Sequence, residues 1–220
     1  MAVQQYLMMG RSATVGRNII TGERWVFGNN GYGIGGLGND TGISLPLQVG
    51  ALETWQNTEQ PGGYIANQCA VKSDGTLWTW GRNNSGALGL GNTTSYSSPV
   101  QVGSLTDWLE VGQFAGNMLA IKTNGTLWSW GDNATGQLGH GNTTSISSPA
   151  QVGSDTDWAH VIASNGNWTV AMKTNGALYW SGTGTGFGLS NVSTHTQVGS
   201  ETGFVDAIGK PEHIIMWKEA

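Results

Sequence analysis

The stretch Leu127-Trp128-Ser129-Trp130-Gly131-Asp132-Asn133-Ala134-Thr135-Gly136-Gln137-Leu138-Gly139-His140-Gly141 decides how this chain is read, because it occurs twice. Fifty positions earlier stands Leu77-Trp78-Thr79-Trp80-Gly81-Arg82-Asn83-Asn84-Ser85-Gly86-Ala87-Leu88-Gly89-Leu90-Gly91. The match runs on through Asn92-Thr93-Thr94, Pro99 and Gln101-Val102-Gly103 to Asn142-Thr143-Thr144, Pro149 and Gln151-Val152-Gly153. Self-similarity at such a period marks a repeat architecture, in which each unit buries its apolar face on its neighbours. A more divergent copy precedes these two, with Trp25, Phe27-Gly28, Pro46 and Gln48-Val49-Gly50 in the same order. A shortened one follows, with Leu178, Tyr179, Gly182, Gly188 and Gln197-Val198-Gly199.

Within each copy the apolar residues alternate, so Trp78 and Trp80 share one face of a strand while Leu77 and Thr79 take the other. The preceding strand ends in Ser73-Asp74-Gly75, Thr123-Asn124-Gly125 or Thr174-Asn175-Gly176. Asp-Gly and Asn-Gly between short strands predict a two-residue type I′ hairpin with positive φ at both central positions. A Gly-rich bend follows, then a strand beginning at Pro99, and a last segment from Trp108 or Trp158 completes about four strands per unit. The predicted architecture is all-β: a β-propeller-like array of about four four-stranded blades, incomplete or closed by the terminal strands. We read residues 1–220 as one repeat domain, with repeats near 15–65, 66–116, 117–166 and 167–211 and a terminal strand over 212–220. The expected interblade core is Trp25, Trp78, Trp80, Trp128, Trp130 and Trp180, since one Trp buries on the order of 200 Å².

Composition narrows the function. The chain has 36 Gly and 11 Trp, and the aromatics argue against disorder. A net charge of -5 built from few charges provides no field to gather polyanions, so nucleic acid is not an expected partner. The first residues lack a basic start followed by an apolar run, so neither a signal peptide nor membrane insertion is expected. The single cysteine, Cys69, reads as a small buried hydrophobe.

No catalytic constellation emerges, and no cofactor or metal is expected. His140, His160, His195 and His213 fall at different repeat phases without metal-ligand spacing. Gly182-Thr183-Gly184-Thr185-Gly186 lacks the Lys-Ser/Thr close of a phosphate loop and aligns with the ordinary bend. Two sets of residues are candidate contact surfaces. Lys72, Lys122, Lys173 and Lys218 recur just before the hairpin turn and read as a solubilising strand end or a basic rim. Tyr96 and Ile146 are the apolar tips of the polar loops 93–98 and 143–148.

The Leu127 to Gly141 string, with its Trp-Gly, Asn, Leu-Gly and Gly landmarks in order, resembles the signature of the regulator of chromosome condensation repeat family across nearly the whole chain. The resemblance implies a β-propeller, of seven blades in typical members. The best-known member is a guanine nucleotide exchange factor for a nuclear GTPase that also docks on chromatin. This chain departs from that pattern, with about four repeats. Asn67, Asn117 and Trp168 stand where the family places His, and only His213 keeps it. The fold carries over and the exchange activity does not. Repeats of this style, with Asn-Thr-Thr-Ser loops and a Gln-Val-Gly close, also resemble those of bacterial surface and tailed-phage virion proteins.

The strands that precede an Asn-Gly-type turn, near 15–20, 66–72, 118–122, 168–173 and 213–218, outnumber their partners by one. An unpaired edge must be capped, charged or completed by another chain. The expected role is a structural or adhesive protein of a virion or cell surface, working with other protein subunits in an oligomer or larger assembly. A soluble partner-binding propeller of the exchange-factor kind and a lectin for surface glycans are the alternatives.

Overall fold

A computed structural model describes residues 21–50, 54–56, 66–113, 116–164, 167–184, 188–210 and 213–218. The expected strand near 15–20 lies outside these residues, as do Thr185 and Gly186 of the Gly-rich string. Seventeen strands and one 3-10 turn at Gly31–Gly33 make up the described structure. The N-terminal strands are β1 (Thr21–Gly22), β2 (Trp25–Gly28), β3 (Ile43–Gln48) and β4 (Trp55–Gln56). Then come β5 (Asn67–Val71), β6 (Leu77–Gly81), β7 (Tyr96–Gln101), β8 (Trp108–Gln113), β9 (Asn117–Lys122), β10 (Leu127–Gly131) and β11 (Ile146–Gln151). The last are β12 (Trp158–Ser164), β13 (Trp168–Lys173), β14 (Leu178–Gly182), β15 (Val192–Gln197), β16 (Phe204–Lys210) and β17 (His213–Lys218).

Two sheets are four-stranded antiparallel meanders, β8-β9-β10-β11 and β12-β13-β14-β15. The sheet β5-β6-β7 gains a fourth member through a bridge from Trp55 of β4 to Lys72. At the two ends stand half-sheets, β2-β3 and β16-β17. The sheets are out of phase with the sequence repeat. The Trp108 segment closes one repeat in sequence but opens the next sheet, so every repeat is stapled to its successor by a shared blade. The first strand of each sheet lies against the preceding sheet: β8 on β5, β12 on β8 and β9, and β16 on β12.

The seams between sheets are the core. Cys69, Val71, Leu77, Val102, Trp108, Val111, Met118 and Trp130 fill one. Leu119, Ile121, Leu127, Val152, Trp158 and Val161 fill the next, and Ile162, Trp168, Val170, Met172, Leu178 and Trp180 a third. Trp80 and Trp130 also reach across their seams to hydrogen-bond the bend of the preceding sheet, Trp80 Nε1 to the Ile34 carbonyl at 2.8 Å and Trp130 Nε1 to the Ala87 carbonyl at 2.9 Å. Trp180 is buried too, against its own bend at Gly184. Trp78 and Trp128 are half-buried at the seam margin. The expectation that Trp25 belongs to this core is corrected, since it is 56% exposed. Its strand β2 sits in a half-sheet, and among the described residues no hairpin lies alongside it as β9 lies alongside β10.

The hairpin turns differ from the expected type. The Gly75 N–H donates to the Lys72 carbonyl and the Lys72 N–H to the Thr76 carbonyl, both at 2.9 Å, which defines a three-residue loop. Only Gly75 has positive φ, so this is a type I turn followed by a left-handed glycine. Gly125 needs its missing side chain for a second reason, because a Cβ there would run into the Thr156 carbonyl of the next blade. Pro99 and Pro149 fall in the middle of β7 and β11, not at a strand start. They are tolerated because each of these strands pairs on one side only.

Candidate interaction surface

The lysines occupy the last residue before each turn, where the strand points the side chain back across the aromatic pair of its own blade. Lys72 lies over the rings of Trp55 and Trp78 at 4.9 and 3.7 Å, and Lys122 over Trp108 and Trp128 at 4.8 and 4.5 Å. Lys173 sits between Trp158 at 5.2 Å and Tyr179 at 5.0 Å. Each ammonium is thus clamped between two π faces, one from the first strand of the sheet and one from the third. Carboxylates complete the clamp. Lys122 meets Asp107 at 3.2 Å, and Lys173 meets Asp155 at 2.6 Å and Asp157 at 2.9 Å. Burial lowers the Lys173 pKa, but hydrogen bonds and charge from Asp155 and Asp157 together outweigh it, so the ammonium is held above its usual value.

The reading of these lysines as a basic rim is therefore corrected for Lys122 and Lys173, while Lys72 is half-buried over its two rings. Lys122 is 5% and Lys173 8% exposed, and both are stem and counter-charge of an aromatic cluster. Lys218 is the exception. Its side chain is 52% exposed, pairs with Glu201 at 3.1 Å and has one ring beside it, Phe204 at 5.8 Å. Tyr96 and Ile146 are not loop tips either. They begin β7 and β11, opposite Gly81 and Gly131, and are half-buried.

The residues that hold the bends were not singled out in the sequence. Asn133 is fully buried and its amide donates to the Asn142 and Thr144 carbonyls at 3.0 Å, while its Oδ1 accepts from the Leu138 N–H at 2.9 Å. Asn83 makes the same set with Asn92, Thr94 and Leu88. Their signal was visible: an Asn at the same place in consecutive copies, between glycines.

Titratable groups gather at one seam. His140 Nε2 and Ser129 Oγ lie 2.9 Å apart, and a bridge pairs His140 with Thr194. His195 follows in the edge strand, its ring set edge-on to Trp158 at 5.6 Å and neither ring nitrogen hydrogen-bonded. Burial, and then the neighbouring His140, hold His195 down to about 3. Across the same pair of sheets His160 Nδ1 meets Glu110 at 3.1 Å. Cys69 is fully buried, and burial pushes its thiol up to about 12. Among the described residues no three His, Cys, Asp or Glu side chains converge as metal ligands, and no helix is long and apolar enough to cross a membrane.

Apart from Tyr32 in the 3-10 turn and Leu105, the large apolar side chains exposed among the described residues lie on the two half-sheets. On β2 and β3 these are Trp25, Phe27, Leu45 and Leu47; on β17 they are Ile215, Met216 and Trp217. A shallow groove between the sheets of β7 and β10 is lined by Leu90, Leu105, Trp108, Trp128 and Pro149, with Leu105 exposed.

Comparison with known proteins agrees with this architecture. The regulator of chromosome condensation (RCC1) repeat matches residues 74–115 and 124–172. The ultraviolet-B receptor UVR8 of Arabidopsis thaliana is 34% identical over 82 residues, which cover 37% of this chain and 18% of the receptor. Among solved structures, human WBSCR16 is similar with a TM-score of 0.67 at 17% identity, over 80% of this chain and 47% of that one. Yeast RCC1 (Prp20), in its complex with Kap60, is similar with a TM-score of 0.66 at 17% identity, over 80% of this chain and 44% of that one. A second structure of Prp20p from Saccharomyces cerevisiae, described with its binding to Gsp1p and histones, gives 0.62 at 18% identity over 79% and 45%. The chain thus spans less than half the length of each of these relatives.

Proposed function

Taking the chain as an array of regulator of chromosome condensation repeats, we propose that it is a non-catalytic docking body for other protein subunits. The observation that carries this reading is the placing of exposed large apolar side chains on two sheets that are only two-stranded among the described residues, while the polar chemistry of the repeats is turned inward. Contiguous exposed apolar residues beside an unpaired edge are features of protein interfaces. The solved relatives are described with protein partners, Kap60 in one case and Gsp1p and histones in another. The repeat-matched aromatics Trp78, Trp80, Trp108, Trp128, Trp130 and Trp158 lie in the seams and clamps rather than at the equivalent loop tips that a shallow glycan site would use. A virion or cell-surface particle is the setting we assign, on the style of the repeats.

Native purification of the full chain from its source tests the reading. A complex with protein subunits in fixed stoichiometry is expected, and co-purification with intact particles if the setting is right. A chain that emerges alone and accelerates nucleotide release from a small GTPase would replace docking by exchange activity.

A further inference from the structure

The seams between successive sheets are not built alike. In two of them an indole crosses to the bend of the preceding sheet and packs on the aromatic that opens its own sheet. Trp80 does this against Trp55 at 5.8 Å, and Trp130 against Trp108 at 6.2 Å. In the seam between β8-β9-β10-β11 and β12-β13-β14-β15, the matching Trp180 turns back onto Gly184 of its own bend. Its place is taken by His195, whose ring meets Trp158 at 5.6 Å and lies against Gly139, as Trp130 lies against Gly89. His195 comes from the last strand, two residues after Ser193, where the matched strands carry Pro99 after Ser97 and Pro149 after Ser147.

Replacing an indole by an imidazole changes the chemistry of the joint. Trp80 and Trp130 each give their one N–H to a carbonyl of the facing bend. The matching carbonyl, that of Gln137, is occupied by the hydroxyls of Thr169 and Ser181 at 2.6 and 2.9 Å. Both nitrogens of His195 are buried, and neither has a hydrogen-bond partner. His140 stands beside it on the bend, bridged to Thr194, with Nε2 at 2.9 Å from Ser129 Oγ. Burial lowers the pKa of both rings, and the charge of His140 lowers that of His195 further. The other ionisable groups around the ring are engaged elsewhere. Asp132, at the start of the bend, accepts from Gln137 Nε2 at 3.1 Å, and Lys173, against Trp158, is paired with Asp155 and Asp157. Tyr179 bonds to Gln197 at 3.4 Å, and β15 carries no other ionisable residue. A proton placed on His195 therefore meets no carboxylate. At the first-strand end of the same seam the situation is reversed, since His160 Nδ1 faces Glu110 at 3.1 Å.

We propose that this seam is a joint released by protons at its outer end: a proton on His195 expels the imidazole and parts β15 from the 131–141 bend, while β12 stays seated on β8 and β9. A charged imidazole without a partner is costly inside the seam and well solvated outside it, so the proton favours the open form. At the inner end a proton on His160 adds a charge opposite to that of Glu110, which holds the hinge. The two indole-stapled seams contain no histidine and stay shut.

Each of these seams carries its own reporter, a bend glycine whose N–H donates across it to the last strand of the next sheet. Gly38 donates to the Ser97 carbonyl at 2.8 Å, Gly91 to Ser147 at 2.7 Å and Gly141 to Ser193 at 2.7 Å. The test follows hydrogen exchange at these three amides in the full chain by NMR at pH 7.5 and 5.5, corrected for intrinsic rates. With His195 at its ordinary 6.5 in the open form and about 3 in the closed one, that change of pH raises the opening constant about tenfold. Protection at Gly141 should fall by this factor while Gly38 and Gly91 keep theirs. His195→Phe should abolish the fall, and His140→Leu, which matches Leu90 of the preceding repeat, should leave it in place. The comparison of the three amides in the unmodified chain needs no substitution, so it stands even where a variant fails to fold. Constant protection at Gly141, an equal fall at Gly91, or a fall that follows His140 and not His195 overturns the proposal.

Discussion

Trp128 and Trp25 occupy the same place in the repeat, as do Lys122 and Lys218, yet the central pair is packed and the terminal pair faces outward. The central strands β9 and β10 are covered on both faces, with Trp130 against one neighbouring sheet and Leu119, Ile121 and Leu127 against the other. The terminal strands carry the same kinds of residue on half-sheets. Burial in a stacked array is therefore a property of the neighbours as much as of the side chain, and energies cannot be carried from one repeat to the next by alignment alone.

The sharpest way to break this comparison is to truncate matched positions. Trp130→Ala should cost about 3–5 kcal/mol in urea unfolding, because a fully buried indole leaves a cavity and an unpaired Ala87 carbonyl. Phe27→Ala, at a position 73% exposed, should stay within about 0.5 kcal/mol in dilute solution. Equal losses at both sites would mean that the half-sheet is covered in solution even at dilution.

Asn133→Ala should cost on the order of 2 kcal/mol, since it strands the Leu138 N–H and the Asn142 and Thr144 carbonyls inside the bend. The last repeat tolerates Gly184 where alignment places this Asn, so a comparable loss from Asn191→Ala, whose Oδ1 accepts from the Gly184 N–H, would show that the bend there uses a substitute anchor.

Acid should act on one seam before the others. His195 is held near 3 against an ordinary value of 6.5, so the unfolded chain binds the extra proton between those values. Its contribution is complete above about pH 6.5 and declines as pH falls toward 3. The melting temperature should drop by several degrees from pH 7 to pH 5, and His195→Phe should flatten that slope. An unchanged slope would remove His195 as its source.

The smallest effects concern the clamps. Lys122→Met should cost about 1 kcal/mol through the lost cation–π contacts, and Lys218→Met should have almost none in the monomer.

Much of the architecture was readable in the sequence. The fifty-residue period, the alternation in Leu127-Trp128-Ser129-Trp130 and the glycine bends lead to antiparallel blades, because these patterns are set by local geometry. Three features were not readable. The phase between repeat and blade depends on which neighbour the Trp108 segment joins, and periodicity is blind to phase. The turn type hinged on whether Asp74 shares the positive φ of Gly75, and both a two-residue and a three-residue loop accept Asp-Gly. The lysines looked like a surface because charge is ordinarily exposed, and only the ring pairs brought together from the first and third strands of each sheet show why Lys122 and Lys173 are buried. The Asn keystones were legible and overlooked, since attention went to residues with reactive side chains.

The prolines in the outermost strands have a consequence for dimensionality. Pro46, Pro99 and Pro149 each remove a donor from the middle of β3, β7 and β11, the last strands of their sheets. A strand approaching from the periphery finds an interrupted ladder there, so lateral sheet growth toward amyloid-like stacking is discouraged. The flanks of β17 and β2 carry no such interruption. The outer edges of β3, β7 and β11 are thereby closed to strand addition, while β15, the last strand of its sheet, has no proline and lacks this protection.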